Sequence, residues 1–188
     1  PYRMIAAGFG DLISKPVSQA DWLLSHHLID TPYSPKAARL IDQSALLLEG
    51  VAEKLPSRCP DAVGKLMGSL VLSGMSMAMA GTSAPSSGGE HLISHYLDMT
   101  HYAWGRPIDL HGCQVGVATI TTAALYEKLL ALDLSKINCE QRRISHASWD
   151  AHRETIRARF ANLSPAVLPF AQQGYPSTEE LAQRLAYF

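Results

Sequence analysis

Four of the chain's eight histidines fall in one short window, GGEHLISHYLDMTHYAWGRPIDLHG, residues 88–112. His91 and His95 stand four apart, a spacing that puts two side chains on one helix face. His111 follows the break Trp104-Gly-Arg-Pro107 and opens the next long apolar-periodic run. Far upstream, Asp11 follows Gly8-Phe-Gly10 and begins the helix-compatible run DLISK. Two antiparallel helices joined through the Trp104–Pro107 break would bring His91 and His111 together. One carboxylate and two neutral imidazoles form a divalent-metal ligand set with a coordination position left open, which is a catalytic pattern rather than a closed structural one. The spacing also fits a plainer arrangement, a hydrogen-bonded core or surface histidine pair. Glu90-His91 does not make the zinc-protease motif, which needs the order H-E-x-x-H. Glu90 is instead expected to close a capping box that starts at Ser87. His101 is expected past the end of its helix, on the surface. At least one of His26 and His27 belongs to a helix surface, and His146 and His152 sit among arginines, a poor place for a cation.

Other chemistries find less support. Cys113 is two residues from His111, and a helix does not point such neighbours at each other. The chain has no G-x-S-x-G elbow and no E-x-x-H pairs for a di-iron carboxylate bundle. Gly8 and Gly10 lack the third glycine, the preceding strand and the acidic strand end of a dinucleotide-binding loop, Asp30 lying in a helix-to-loop segment. An aspartate with two histidines is also the facial triad of non-haem iron oxygenases, but those sites sit mostly on β-scaffolds and no segment here alternates with period two.

The elements that must position these groups are helical. Apolar residues recur at helical spacing from Lys36 to Leu55, opened by Pro35 and closed by Pro56. Further helices are expected over 61–80, from Ser87 through HLISHYLDM, over 111–132, over 148–161 and over 177–186, the last opened by the capping box Ser177-Thr-Glu-Glu180. The fold class is all-α, in one domain spanning 1–188.

Bulk properties bound the partners. At 47% hydrophobic residues and a net charge of −1, the chain can bury a core and offers no basic stripe to nucleic acid or a membrane surface. Arg142, Arg143, Arg153, Arg157 and Arg159 form its basic cluster, but Glu140, Asp150 and Glu154 are interleaved, as on a solvated helix face. Cys59, Cys113 and Cys139 are odd in number and widely spaced, which points to free thiols in a reducing, cytoplasmic setting. The longest apolar stretch, 66–81, falls short of the ~20 residues of a membrane span, and its glycines and serines suit a helix buried among others.

Three blocks, AAGFGDLISKPVSQADWLLSHHL, LSGMSMAMAGTSAPSSGGEHLISHYLDM and LHGCQVGVATI, resemble in order the sn-glycerol-1-phosphate dehydrogenases. That branch belongs to the superfamily of iron-containing alcohol dehydrogenases, glycerol dehydrogenase and dehydroquinate synthase. The resemblance implies a multi-helix, metal-binding C-terminal domain of the dehydroquinate synthase type, with the N-terminal NAD(P)-binding domain absent from this chain. It implies Asp11, His91 and His111 as metal ligands and His95 as a catalytic pocket residue in the proton path. Zinc is the implied metal, with iron or nickel as alternatives. The implied activity is NAD(P)-dependent oxidation of a small polyol or polyol phosphate, by an enzyme that is a homo-oligomer at full length and inactive as this domain alone. The loop Ser83-Ala84-Pro85-Ser86-Ser87-Gly88 carries Ala84 where the family has an arginine suited to an anionic substrate. The non-enzymatic alternative is a standalone helical interaction module that keeps a relic metal site.

Overall fold

The computed structural model describes residues 2–133, 148–173, 175, 177, 179, 180 and 183, apart from the side chains of Leu28, Ile29 and Gln173. Cys139, Glu140, Arg142, Arg143, His146 and most of the helix expected over 177–186 lie outside the described residues. Among the described residues every regular element is helical: α1 (Tyr2–Leu12), α2 (Lys15–Ile29), α3 (Pro35–Leu47), α4 (Pro60–Ala80), α5 (Gly89–Trp104), α6 (His111–Leu130), α7 (Trp149–Phe160) and α8 (Ser164–Gln173). Short 3-10 turns lie at Ala52–Lys54 and Ala161–Leu163. The protein is all-α. The chain divides into two compact units, one of Pro1–Leu97 with Ile108–Leu129, the other of Asp98–Pro107 with Leu130–Phe188.

The first unit is organised around Leu12, Val51, Leu55, Ala62 and Leu66, with Ile5, Phe9 and Leu70 packed against them. The apolar period expected as one helix over 36–55 is interrupted. Helix α3 starts at Pro35 behind Ser34, whose side chain accepts from the Ala37 amide, and stops at Leu47. Gly50 then takes a φ of +65°, a left-handed conformation that glycine adopts without strain. Val51 and Leu55 still reach the core from beyond that turn. A second cluster forms where Trp22 meets Ala37 and Ala38, with Tyr33 and Ala84 alongside, and the Trp22 indole donates to Pro32 O at 2.9 Å.

Helix α4 turns its small polar face inward. Ser69 Oγ donates to Ser44 O and Ser76 Oγ to Ala37 O, each at 2.8 Å, so α4 is bonded to the backbone of α3. Its opposite face, Met67, Val71, Met75 and Met79, is exposed, so the helix expected to be buried among others leaves this face uncovered among the described residues. At 21 residues it is, by length and composition alone, long and apolar enough to cross a membrane, because the helix starts at Pro60, before the apolar stretch. Gly81 ends it with a φ of +68°.

In the second unit Ser148 caps α7, accepting from the Ala151 amide, and Ile156 is its buried residue. Arg153 pairs with Asp150 and Arg157 with Glu154 at 3.1 and 2.7 Å on exposed surface, as an interleaved charge run should. The His152 ring stacks on Tyr175 at 4.7 Å. Ser177 and Glu180 make a reciprocal capping box, Ser177 N donating to Glu180 Oε2 and Glu180 N to Ser177 Oγ. His101 lies inside the last turn of α5, its Nδ1 against Arg106 O, because the helix runs on to Trp104 before Gly105 turns the chain at φ +64°.

Candidate metal centre

Backbone contact between α1 and α6 sets the site. A Cβ built on Gly112 would lie 1.8 Å from Ala7 O, one on Gly10 2.2 Å from Gly112 O, and one on Gly116 3.0 Å from Gly10 Cα. Only residues without a side chain allow that approach. Gly10 and Gly112 are each followed or preceded by a candidate ligand, so the crossing sets Asp11 beside His111. The glycine pair that fails as a nucleotide loop thus has a packing role. Asp11 belongs to the last turn of α1, not to the start of the next helix, because the chain turns at Ile13 and α2 begins only at Lys15.

Helix α5 brings the third group. Asp21 Oδ2 accepts from the Gly89 amide, and its other oxygen accepts from Tyr126 OH. A carboxylate so placed suits the positive end of a helix and fixes where α5 begins. Burial and the Asp21 contact push the Tyr126 hydroxyl pKa well up. A Cβ on Gly88 would lie 2.6 Å from Asp21 Oδ2, so a side chain there would push the Asp21 carboxylate aside. Glu90 does reach back to the helix start, accepting from Gly88 N at 2.9 Å, so the cap lies one residue later than the box expected from Ser87. Its carboxylate does more than cap. Fully buried, Glu90 also accepts from Ser18 Oγ and contacts His91 Nδ1, both at 2.7 Å.

His91 is therefore held at both ring nitrogens, with Nε2 at 3.2 Å from Asp11 Oδ1. Burial disfavours its imidazolium, but the bonds to Asp11 and Glu90 outweigh burial and raise its pKa. The two carboxylates move the opposite way. Burial raises both, yet for Asp11 the His91 bond and the Lys15 charge win, and for Glu90 the bonds from His91, Gly88 and Ser18 win, so both are lowered. His111 has Nδ1 at 3.2 Å from Ser94 Oγ, and Ser94 donates its only proton to Gln114 Oε1 at 3.0 Å. The imidazole must then be the donor at Nδ1, which puts its lone pair on Nε2.

Asp11, His91 and His111 each offer a ligand atom, and the three atoms lie within 4.8 Å of one another. The donor set fits a divalent ion. The Asp11–His91 separation of 3.2 Å matches the roughly 3.3 Å between two ligands of a tetrahedral zinc with bonds of about 2.0–2.1 Å. Each imidazole also has its other nitrogen bonded to an oxygen, the arrangement that orients a metal-binding histidine. His95 stands outside the triad. It is exposed, its ring 5.8 Å from that of His111 at 26° and 6.4 Å from that of His91. A cavity of about 260 Å³ is lined by the triad, His95, Lys15, Ser83, Ser86 and Ser87, among others.

Lys15 was not among the residues that the sequence singled out, nor were Ser18, Ser94 and Gln114. Lys15 is 2% exposed, with Nζ bonded to Ser86 O at 3.0 Å and 3.5 Å from Asp11 Oδ1. Burial lowers its pKa against the pull of Asp11 and Glu90. The i, i+4 spacing of Asp11 and Lys15 was the one available signal, and it did not reveal burial. His26 bonds Thr31 O through Nδ1 at 2.8 Å and His27 is exposed, both away from the triad. Cys59 and Cys113 are free thiols.

No family model matches the chain. Curated proteins do. It is 38% identical over 141 residues to the glycerol-1-phosphate dehydrogenase (NAD(P)+) of Bacillus licheniformis, covering 75% of this chain and 35% of that protein. The Geobacillus stearothermophilus enzyme of the same name is 31% identical over 186 residues, 99% of this chain and 44% of the relative. The Methanosphaera stadtmanae one is 42% identical over 120 residues, 64% of this chain and 33% of the relative. The chain is a homologue of the glycerol-1-phosphate dehydrogenases. It spans between a third and a half of the length of these relatives. The family resemblance implies an arginine where this chain has Ala84. Ala84 packs against the Trp22, Ala37 and Ala38 cluster and is not on the wall of the cavity beside the triad.

Proposed function

We propose that this chain is the metal-bearing part of an NAD(P)-dependent dehydrogenase of a small polyol or polyol phosphate. The observation that carries this is the meeting of Asp11, His91 and His111 in a chain homologous to glycerol-1-phosphate dehydrogenases. These three residues hold the ion, zinc being the metal that the family resemblance implies, with iron or nickel as alternatives. When bound, a divalent metal supplies a Lewis acid at the substrate oxygen. Glu90 keeps the proton on His91 Nδ1 and so presents Nε2 to the ion, while Ser94 does the same for His111. His95, on the open side of the cavity, carries the hydroxyl proton to solvent. Lys15 balances the carboxylates of Asp11 and Glu90. The hydride leaves to a nicotinamide cofactor, whose site we place in an N-terminal domain corresponding to the length of the relatives that this chain does not span.

Metal content tests the assignment. The purified chain should hold about one divalent ion, Asp11→Ala should lose it, and His95→Ala should keep it. If the parent chain neither carries an ion nor takes up added zinc, the reading falls, and a helical interaction module with a relic site stands in its place.

A further inference from the structure

His111 and Gln114 stand three apart at the start of α6, on one face of the helix. Gln114 is buried, and the two ends of its amide meet different partners. Nε2 lies 3.2 Å from Asp109 O, and Oε1 lies 3.0 Å from Oγ of the fully buried Ser94. A backbone carbonyl accepts and never donates. The amide therefore has one orientation: turned over, it would set Oε1 against Asp109 O, two acceptors facing each other without a proton between them. The Asp109 peptide is itself held, because the Asp109 side chain accepts from Leu110 N at 2.6 Å and from Arg3 of α1. From that fixed acceptor the directions follow one by one. Asp109 O takes a Gln114 proton, Gln114 Oε1 takes the single Ser94 proton, and Ser94 Oγ, at 3.2 Å from Nδ1, has only a lone pair left for the ring.

We infer that Gln114 is the positioning residue that sets the His111 tautomer, acting through Ser94 and taking its direction from the Asp109 carbonyl. It keeps the proton on Nδ1 and the lone pair on Nε2, the reverse of the form that a free histidine side chain favours in water. His111 is exposed, so burial does not impose that choice. The two imidazoles of the centre are thus directed by different means: His91 by the Glu90 carboxylate, His111 by a neutral relay that ends on the backbone. The inference rests on the metal-holding role proposed for His111, in which Nε2 is the nitrogen offered to the ion.

The tautomer can be read directly. Two-bond proton–nitrogen correlation spectra distinguish the two forms in a chain labelled at its histidine nitrogens and stripped of metal with a chelator. They are recorded at about pH 8, where an ordinary histidine is neutral, and His111→Gln identifies the signals by their loss. The parent should show His111 protonated at Nδ1. Gln114→Met keeps the length of the side chain but offers Ser94 no acceptor. It should release the Ser94 proton toward Nδ1 and move His111 to the Nε2–H form. Zinc affinity should then fall about 10–100-fold, since the ion must first move that proton. A loss of packing alone would weaken folding without changing which nitrogen carries the proton. In a Ser94→Ala background, Gln114→Met should have no further effect on the tautomer. A parent protonated at Nε2, or a Gln114→Met variant still protonated at Nδ1, overturns the inference. A tautomer that moves while zinc affinity stays at the parent's value overturns the positioning role. If circular dichroism shows Gln114→Met unfolded, Ser94→Ala takes its place: the Nε2–H form supports the relay and the Nδ1–H form refutes it. A parent that takes up no zinc removes the metal reading instead, and the metal-free spectra still decide what Gln114 does to the ring.

Discussion

The floor of the metal centre and its rim are built in different ways. On the floor, Lys15, Glu90 and His91 are buried, and each is tied to groups from another helix or loop. On the rim, His95 and His111 are exposed, and Ser94 Oγ lies against Nδ1 of the His111 ring. The floor sets direction: it decides which nitrogen faces Asp11 and fixes the start of α5. The rim leaves access. A site assembled this way should tolerate change at its edge and lose its geometry when the floor or the backbone beneath it is altered.

The largest effect should come from beneath the floor. Gly112→Ala places a methyl 1.8 Å from Ala7 O, backbone against backbone, where neither side can rotate away. The cost should reach about 3 kcal/mol or more, lowering the melting temperature by roughly 6–12 °C. Melting within a degree or two of the parent would mean that the α1–α6 crossing is looser than described.

Next comes the floor itself. Glu90→Gln keeps the shape but offers a weaker acceptor to His91 Nδ1 and to the Gly88 amide. Zinc affinity should fall about 10–100-fold, with a smaller loss of stability, whereas His95→Ala on the rim should leave the affinity within a few-fold. Equal losses at the two positions would erase the distinction between floor and rim.

The smallest effect is on pH dependence, and its sign follows from the shifts. Asp11 and Glu90 are lowered, so the stability they contribute is present above their unfolded values of about 4 and fades as pH falls through their folded values. His91 is raised, so its contribution is full below about 6.5 and is lost as pH rises through its folded value. The metal-free chain should thus melt highest between about pH 5 and 6.5. Added zinc should stabilise it more on the alkaline side, since the ion must displace a proton from His91. A metal-free melting curve that keeps rising to pH 8 would show that His91 is not held between two carboxylates.

The particular residues show what could be read in advance. Helical spacing, with Pro35, Pro60 and Gly81 as punctuation, suffices for an all-α chain because these signals act within a turn or two of themselves. An apolar period runs straight through the break at Gly50, and only the φ of +65° shows the turn. The capping glutamate at Glu90 was legible as a local device. Its bonds to Ser18 and His91 were not, since Ser18 is 72 residues away.

The sequence by itself determined the helical class, the kinds of ligand available and, through its matching blocks, the family. Only the tertiary structure decided which of two histidines four residues apart is buried against Asp11, that Lys15 is sealed into the cavity wall, and that Ala84 faces Trp22 instead. The reason is physical. Spacing along a chain fixes which residues share a helix face, but burial, hydrogen-bond partners and the charge around a group come from other helices. Those neighbours are set here by a glycine contact between segments a hundred residues apart, which no local pattern records.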